Sequence, residues 1–295
     1  MTARTALRPA LTLLVVAIAL TAGWMMWHSY MLSPWTRDGT VRVYIVTIAP
    51  EVAGRIVQLN VIDNQYVHKG DLLFVVDPSD YKIAVEDTQA EVEEARERLV
   101  LSRSEAERRA QLNELAVSLE QKQVYAVGAA TAAATYQQML SRLAKAQLDL
   151  SRTEVRSPVD GWVTNLSLRQ GDYSVVGNRA LSLVDAHSFW VEGYFEETTI
   201  GPIKDGDPAS VWLMGFPDEI KGHVDSLTRA INVPNAQSDA LGVADVNPVF
   251  TWVRLAQRVP VRIHLDEVPS NVRLVQGMTA TVQVHPKRPS SATKK

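Results

Sequence analysis

The pattern of hydrophobic positions changes along this 295-residue chain, and it begins with a long apolar run. Between Arg8 and Arg37 there are 28 residues without Asp, Glu, Lys or Arg. As a helix rising about 1.5 Å per residue, this run is long enough to cross a hydrocarbon core of about 30 Å. We expect a transmembrane anchor at residues 10–32, with residues 1–9 in the cytoplasm because their arginines favour that side. A cleaved signal peptide is the alternative, although the uncharged run exceeds a normal signal core.

Two later stretches alternate apolar and polar residues, and they match each other. Residues 47–70 read TIAPEVAGRIVQLNVIDNQYVHKG, and residues 155–177 read VRSPVDGWVTNLSLRQGDYSVVG. Five pairs share one offset of 107 positions: Gly54 with Gly161, Leu59 with Leu166, Val61 with Leu168, Tyr66 with Tyr173, and Gly70 with Gly177. Glycines that can take a positive φ in tight turns punctuate both stretches, namely Gly54, Gly70, Gly161, Gly171 and Gly177. The repeat predicts that residues 40–77 and 155–185 fold together as one β-sandwich.

The segment between the two copies has a helical composition. Residues 79–157 contain no proline and one glycine, and Ala, Glu, Gln, Arg and Leu dominate. We expect an antiparallel hairpin at residues 78–154, made of two helices at 78–112 and 119–153, the second capped by Ser118. Alanine-rich heptads supply the seam, at Val85, Val92, Ala95, Leu99 and Ala106, and at Leu119, Ala126, Ala129, Ala133, Tyr136, Leu140, Leu143 and Leu150. Such a rod is about 50 Å long, and its polar outer faces are either solvated or packed against copies of the chain.

Short alternating segments return after the second copy. Segments such as SFWVEGYFEE and RVPVRIHLDEV, separated by Gly and Pro turns, predict a small antiparallel β-barrel at residues 186–285. A polar, proline-bearing stretch at 231–250 predicts a long loop, and residues 286–295 predict a disordered tail. The predicted fold class is therefore mainly β with a long α-helical hairpin: a transmembrane helix, a lipoyl/biotinyl-like sandwich split by an antiparallel coiled coil, and a barrel.

Composition and motifs point away from catalysis. A net charge of −3 and a pI near 6.1 give no basic field for nucleic acid. The chain has no cysteine, and its six histidines show no metal-binding spacing, so we expect neither a metal nor a cofactor. Phosphate loops, nucleophile elbows and dinucleotide glycine patterns are absent from the sequence. Glu192, Glu196 and Glu197 are candidate acid/base carboxylates, but an exposed barrel face explains them better.

The order of these segments resembles that of the HlyD-like membrane fusion proteins, the periplasmic adaptors of bacterial export pumps. Four stretches are similar, more finely, to the adaptors of aromatic carboxylic acid (p-hydroxybenzoic acid) efflux pumps, the AaeA type. They are SPWTRD at 33–38, DNQYVHKGDLLFVVD at 63–77, DGWVTNL at 160–166 and WVRLAQRVPVRIHLD at 252–266. The resemblance implies a non-enzymatic, single-pass inner-membrane protein with most of its chain in the periplasm. Its implied partners are an inner-membrane aromatic acid exporter, an outer-membrane TolC-like channel, and copies of itself in a ring, from trimer to hexamer.

The resemblance also implies a contact at the hairpin turn. Family adaptors that meet a TolC-like channel carry an Arg, Leu and Ser set there, and Arg108, Leu112 and Ser118 match it, with Arg109 competing for the place of Arg108. Helix capping by Ser118, closure of the hairpin end by Leu112 and solvated arginines are the structural alternatives.

Other functions stay open at the sequence level. One is a multidrug or other HlyD-type export adaptor, and another is a coiled-coil envelope scaffold without transport. A swinging-arm carrier or anchored enzyme is the third, although the helices replace the turn where a carrier domain presents its modified lysine.

Overall fold

The computed structural model describes residues 13–24, 34–113, 116–231 and 256–286. Its elements, in chain order, are α1 (residues 13–24), β1 (Trp35–Arg42), β2 (Ile45–Ile48), β3 (Gly54–Leu59), β4 (Tyr66–Val67), β5 (Leu72–Val76), α2 (Ser79–Ala110), α3 (Leu119–Ser151), β6 (Glu154–Arg156), β7 (Gly161–Thr164), β8 (Tyr173–Ser174), β9 (Leu181–Asp185), β10 (Trp190–Glu196), β11 (Pro208–Leu213), β12 (Glu219–Leu227), β13 (Arg258–Glu267) and β14 (Thr279–Val284). The predicted class, mainly β with two long helices and a small barrel, is confirmed.

The chain divides into two compact units. One is Ile45–His187, and the other combines Met1–Tyr44 with Ser188–Lys295. The predicted cytoplasmic segment at residues 1–9 lies outside the described residues, as do nearly all of the predicted loop and of the predicted tail.

The predicted membrane anchor at residues 10–32 is described only in part. Residues 13–24 form α1, and the remaining positions of the predicted anchor lie outside the described residues. Within the part of the chain that the structure describes, no helix has the length and apolar character needed to cross a membrane. The anchor stays a prediction.

The two matching stretches fold into one sandwich of two four-stranded sheets. The strand order is β2-β9-β7-β4 in one sheet and β6-β5-β3-β8 in the other. Strands β2, β3, β4 and β5 of the first half correspond to β6, β7, β8 and β9 of the second half. When each strand is replaced by its equivalent, the order of one sheet becomes the order of the other. Each half of the repeat therefore contributes two strands to each sheet, and the two halves are related by a pseudo-two-fold axis, which accounts for the repeat in the sequence.

The sandwich core draws its side chains from both halves. Ile56, Leu73 and Phe74 from the first half and Val163 and Leu181 from the second are all fully buried. Burying a side chain of this size contributes about 1.5–3 kcal/mol, so neither half retains this stabilisation without the other.

The helical hairpin leaves the sandwich between β5 and β6. The Asp77 carboxylate accepts hydrogen bonds from the backbone N–H of Ser79 (3.0 Å) and from its hydroxyl (2.7 Å), at the start of α2. Each helix is about 50 Å long at about 1.5 Å per residue. In α2 the buried residues are Val92, Ala95 and Leu99, as the heptad pattern predicts.

The structure agrees with one predicted line of the α3 seam and with half of the other. Ala129, Tyr136, Leu143 and Leu150 are half-buried as expected. On the second line Ala133 and Leu140 are half-buried, but Leu119 is 69% exposed and Ala126 is exposed. The positions one residue earlier are half-buried throughout, namely Tyr125, Ala132, Met139 and Ala146. Alanine occurs on both of these neighbouring lines, so apolar character could not distinguish them in the sequence.

The second unit is a closed barrel with strand order β1-β10-β13-β12-β11-β14. Sequence patterning placed the barrel within residues 186–285, but β1 from the N-terminal part of the chain also belongs to it. This strand pairs antiparallel with β10 and with β14 and so closes the barrel. Its sequence, WTRDGTVR, contains too few apolar residues to display the alternation of a core strand. Phe195, Val211 and Ile263 are among the residues that fill the barrel core.

Candidate functional site

The hairpin turn presents two exposed side chains at the end of α2. Arg108 is exposed, and its guanidinium makes no hydrogen bond or ion pair with any residue that the structure describes. Leu112 follows four residues later and is 46% exposed. Arg108 is in the last turn of α2 and Leu112 is in the loop just after its C-cap, so a cation and an apolar side chain are both exposed at this end of the hairpin. This pair could receive a carboxylate and an apolar side chain from a partner.

The neighbouring Arg109 occupies a different environment. Its guanidinium lies 3.6 Å from the ring centroid of Tyr125 in α3, and it donates to the backbone oxygen of Glu105 (3.4 Å). A contact of this kind between a guanidinium and an aromatic face stabilises by about 0.5–1 kcal/mol at exposed sites. Arg109 thus joins the two helices of the hairpin, whereas Arg108 faces outward.

The start of α3 uses Ser118 as its cap. The Ser118 hydroxyl accepts a hydrogen bond from the backbone N–H of Gln121 (3.2 Å), as expected for an N-cap serine. Although Ser118 is exposed, its oxygen is engaged within the hairpin. The structure therefore places Arg108, Leu112 and Ser118 at the same end of the hairpin, and of their side chains only that of Ser118 forms a hydrogen bond within it.

A residue that the sequence did not single out completes the turn. The Lys122 ammonium, on α3, donates to the backbone oxygens of Leu112 (2.5 Å) and Ala110 (3.4 Å), which close α2. A cation at a helix C-terminus satisfies otherwise unpaired carbonyl groups and interacts favourably with the helix dipole. Because this contact depends on how the two helices align, only a correct seam register could have revealed it.

The turn glycines link the two halves of the sandwich. Gly70 (φ 93°) donates its N–H to the oxygen of Ser157 (2.7 Å), and Gly177 (φ 79°) donates to that of Pro50 (3.1 Å). Each bond joins one half to the other, and the two bonds are related by the 107-residue offset. Gly171 (φ 96°) makes a third bond between the halves, from its N–H to the oxygen of Ile56 (2.8 Å). These positive φ values favour glycine because a Cβ atom strains that backbone conformation.

Gly54 and Gly161 lie at the starts of strands β3 and β7 and not in turns, and both are required for close approach, although Gly54 also has a positive φ of 159°. A Cβ atom on Gly161 would lie 2.0 Å from the backbone oxygen of Val184. One on Gly54 would lie 2.6 Å from a methyl group of Val76. The two glycines are equivalent in the repeat, but their neighbours differ: one faces backbone and the other faces a side chain.

The candidate carboxylate of Glu192 takes part in structural contacts. Glu192 pairs with Arg42 (3.1 Å) and accepts from the Tyr194 hydroxyl (3.2 Å) on the outer face of the barrel. Across the described ranges, no three His, Cys, Asp or Glu side chains come together in a way that could hold a metal ion.

Comparison with known proteins covers both units. A family model described as the RND MFP barrel-sandwich hybrid domain matches residues 44–186, and one described as an AAEA-like beta-barrel domain matches residues 188–285. The Escherichia coli K12 protein YdhJ is 44% identical over 273 residues, which is 92% of this chain and 96% of YdhJ.

Solved structures share the fold at low sequence identity. The membrane fusion protein Spr0693 from Streptococcus pneumoniae R6 matches with a TM-score of 0.62 at 16% identity, over 86% of this chain and 99% of Spr0693. A MacA-MexA chimeric protein that contains the Pseudomonas aeruginosa MexA α-hairpin domain matches with a TM-score of 0.58 at 22% identity, over 86% and 83%. The two family models and the close sequence relative together show that the chain belongs to the membrane fusion protein family, whose members are non-enzymatic transport scaffolds.

Proposed function

We propose that this chain is the periplasmic adaptor of an efflux pump and that it links an inner-membrane transporter to an outer-membrane TolC-like channel. The observation that carries the proposal is the hairpin: a rod of about 50 Å that leaves a split sandwich and ends in exposed Arg108 and Leu112. Family membership supports the adaptor class. A single-pass anchor at residues 10–32, with the bulk of the chain in the periplasm, is part of the same proposal.

Transport by such an adaptor depends on geometry rather than on chemistry. The energy comes from the partner transporter, and the chain supplies a sealed path between the membranes. A ring of three to six copies repeats the hairpin turn around the channel, so weak contacts at each turn add up through multivalency. Arg108 and Leu112 are the residues proposed to touch the channel. Ser118 and Arg109 act within the hairpin and hold the turn in shape.

The proposed cargo is an aromatic carboxylic acid such as p-hydroxybenzoate, carried by a partner exporter of such acids. Support comes from the AAEA-like barrel model at residues 188–285 and from the AaeA-type stretches at 63–77 and 160–166. A multidrug or other HlyD-type cargo is the second candidate, and the general RND class of the sandwich model favours it.

The test is an export assay in a bacterium that carries this chain. Deleting the chain should lower tolerance to p-hydroxybenzoate and raise its accumulation in the cell, and the intact chain should restore both. The double variant Arg108→Ala with Leu112→Ala should fail to restore export, whereas Arg103→Ala should succeed. Arg103 is the matched control because it is an exposed arginine of α2 farther from the turn.

Each outcome separates two hypotheses. If the deletion strain keeps its tolerance to aromatic acids but becomes sensitive to dyes or drugs, the chain is an adaptor with a different cargo. Unchanged export of every tested compound would favour an envelope scaffold without transport. Full activity of the double variant would remove the proposed channel contact.

A further inference from the structure

A cavity opens at the root of the hairpin, where the helices meet the sandwich. Its volume is about 600 Å³, and strand β5, strand β6 and both helices contribute to it. Its apolar wall is formed by Val75, Pro78 and Leu150, and its polar wall includes Lys82, Glu154 and Arg156. Small-molecule sites typically have volumes of about 300–1,000 Å³ and combine a mainly apolar lining with a few polar groups. We call it the root cavity.

The polar wall of the root cavity carries one uncompensated positive charge. Arg156 forms an ion pair with Glu154 (2.8 Å) and donates to the backbone oxygen of Gly70 (3.0 Å), so these two side chains neutralise and orient each other. The ammonium of Lys82 makes neither a hydrogen bond nor an ion pair with any residue in the described ranges. The acidic side chain of Asp77 is engaged with Ser79 instead.

This arrangement selects an amphipathic anion. The three apolar residues offer a surface for a ring or a branched hydrocarbon, and a compact ammonium is suited to one carboxylate as a point charge. Lys82 is exposed to solvent, so a neutral compound would gain no charge attraction from it, and a polyanion would meet the carboxylate of Glu154.

We propose that the root cavity binds a small monocarboxylate with an apolar body, its ring against Val75, Pro78 and Leu150 and its carboxylate on Lys82. The chemistry of the ligand follows from the cavity. That the physiological ligand is the exported aromatic acid rests on the function proposed above. Because the ligand would touch α2, α3 and β6 together, its binding would favour the hairpin orientation in which these surfaces meet.

The test is a fluorine NMR titration of the full chain in detergent with 4-fluorobenzoate as the probe. Binding should broaden and shift the probe resonance, and Lys82→Met should weaken the affinity at least about tenfold, or about 1.4 kcal/mol. Lys82→Arg should retain most of the affinity because it keeps the charge. Ser151→Trp, which fills the cavity without changing its charge, should also weaken binding. Lys145→Met, an exposed lysine of α3 outside the cavity, should bind like the unchanged chain.

A neutral isostere of the probe distinguishes binding in the root cavity from partition of the probe into the detergent. The amide 4-fluorobenzamide has the same ring, and it should bind at least about tenfold more weakly than the acid if Lys82 receives the carboxylate. Equal binding of acid and amide, unchanged affinity in Lys82→Met or in Ser151→Trp, or no response at millimolar probe would each overturn the proposal. Matching melting curves for Lys82→Met, Lys82→Arg and the unchanged chain exclude misfolding as the cause.

The two proposals fail separately. Absent binding together with intact aromatic acid export in cells would remove the root cavity as a site and leave the adaptor in place. If the acid binds more tightly than the amide and Lys82→Met weakens binding, but deletion of the chain leaves aromatic acid export unchanged, then the root cavity is a binding site and the proposed export of aromatic acids is wrong.

Discussion

The substitution Gly161→Ala tests the packing of the repeat most sharply. The new Cβ atom would lie 2.0 Å from the backbone oxygen of Val184, 2.9 Å from its carbonyl carbon and 3.3 Å from the Cα of Asp185. All three neighbours are backbone atoms of β9, which pairs with β7 through Gly161↔Asp185 and Trp162↔Val184. The strand must therefore move as a whole, since no side chain can rotate away.

The expected cost follows from this displacement. Overpacking in a well-packed region costs about 1–3 kcal/mol. Weakening two ladder hydrogen bonds adds about 0.5–1.5 kcal/mol each. Gly161→Ala should therefore lower the free energy of unfolding by about 2–6 kcal/mol.

Two matched variants give the comparison. Gly54→Ala, at the equivalent position of the other half, should also lower the free energy of unfolding, because a Cβ there lies 2.6 Å from a methyl group of Val76 and the φ of 159° disfavours a side chain. Gly128→Ala should be neutral or stabilising by up to about 1 kcal/mol, because a Cβ there meets open space on an exposed face of α3.

Urea unfolding of the full chain, followed by circular dichroism, measures the three free energies. Hydrogen exchange of the β7 and β9 peptides assigns the loss to the sandwich. A Gly161→Ala chain within about 0.5 kcal/mol of the unchanged chain would refute the packing argument.

The remaining predictions concern the two ends of the hairpin. Lys122→Met should cost about 0.3–1 kcal/mol and speed hydrogen exchange at the end of α2; unchanged exchange there would contradict the capping role of the lysine. Ser118→Ala should cost about 1 kcal/mol through loss of the α3 cap, as measured by urea unfolding, with Ser118→Asp retaining stability as the control. Hydrogen bonds from Ser79, the side-chain bond first, hold the pKa of Asp77 below its ordinary value of 3.8. Because the pKa of Asp77 is lower in the folded chain, its ionised form stabilises the fold above pH 3.8, and this stabilisation is lost as the pH falls through the folded pKa. In Ser79→Ala the free energy of unfolding should therefore decrease less steeply with falling pH in this range. An unchanged acid profile would show that the bond from the Ser79 hydroxyl to Asp77 does not contribute.

The sandwich could be predicted from sequence because its constraints are local and repeated. Gly70 and Gly177 occupy equivalent positions of the two halves, and both need a positive φ. Gly54 and Gly161 are likewise equivalent, and both leave no space for a Cβ atom. A duplicated pattern of this kind is difficult to satisfy unless the two copies pair with each other. The hairpin was equally predictable, because helix composition and a capping serine are properties of short stretches.

Long-range alignment is what the sequence left unresolved. The place of β1 in the barrel depends on pairing with β10 and β14, which lie far away along the chain. One line of the α3 seam could not be fixed at the start of the helix, where Ala126 is exposed and Tyr125 is half-buried, because alanine occurs on both neighbouring lines. The different roles of Arg108 and Arg109 follow from the alignment of the two helices, which brings Tyr125 under Arg109.

The claim that this chain is an adaptor reaching an outer-membrane channel is tested most directly by crosslinking in living cells. The chain has no cysteine, so one introduced cysteine is a unique probe. Leu112→Cys should form an adduct with a TolC-like channel when a short thiol-reactive crosslinker is added, while Lys145→Cys, near the other end of the hairpin, should form none. A channel adduct at both positions, or at neither while the chain is present and folded, would contradict the account.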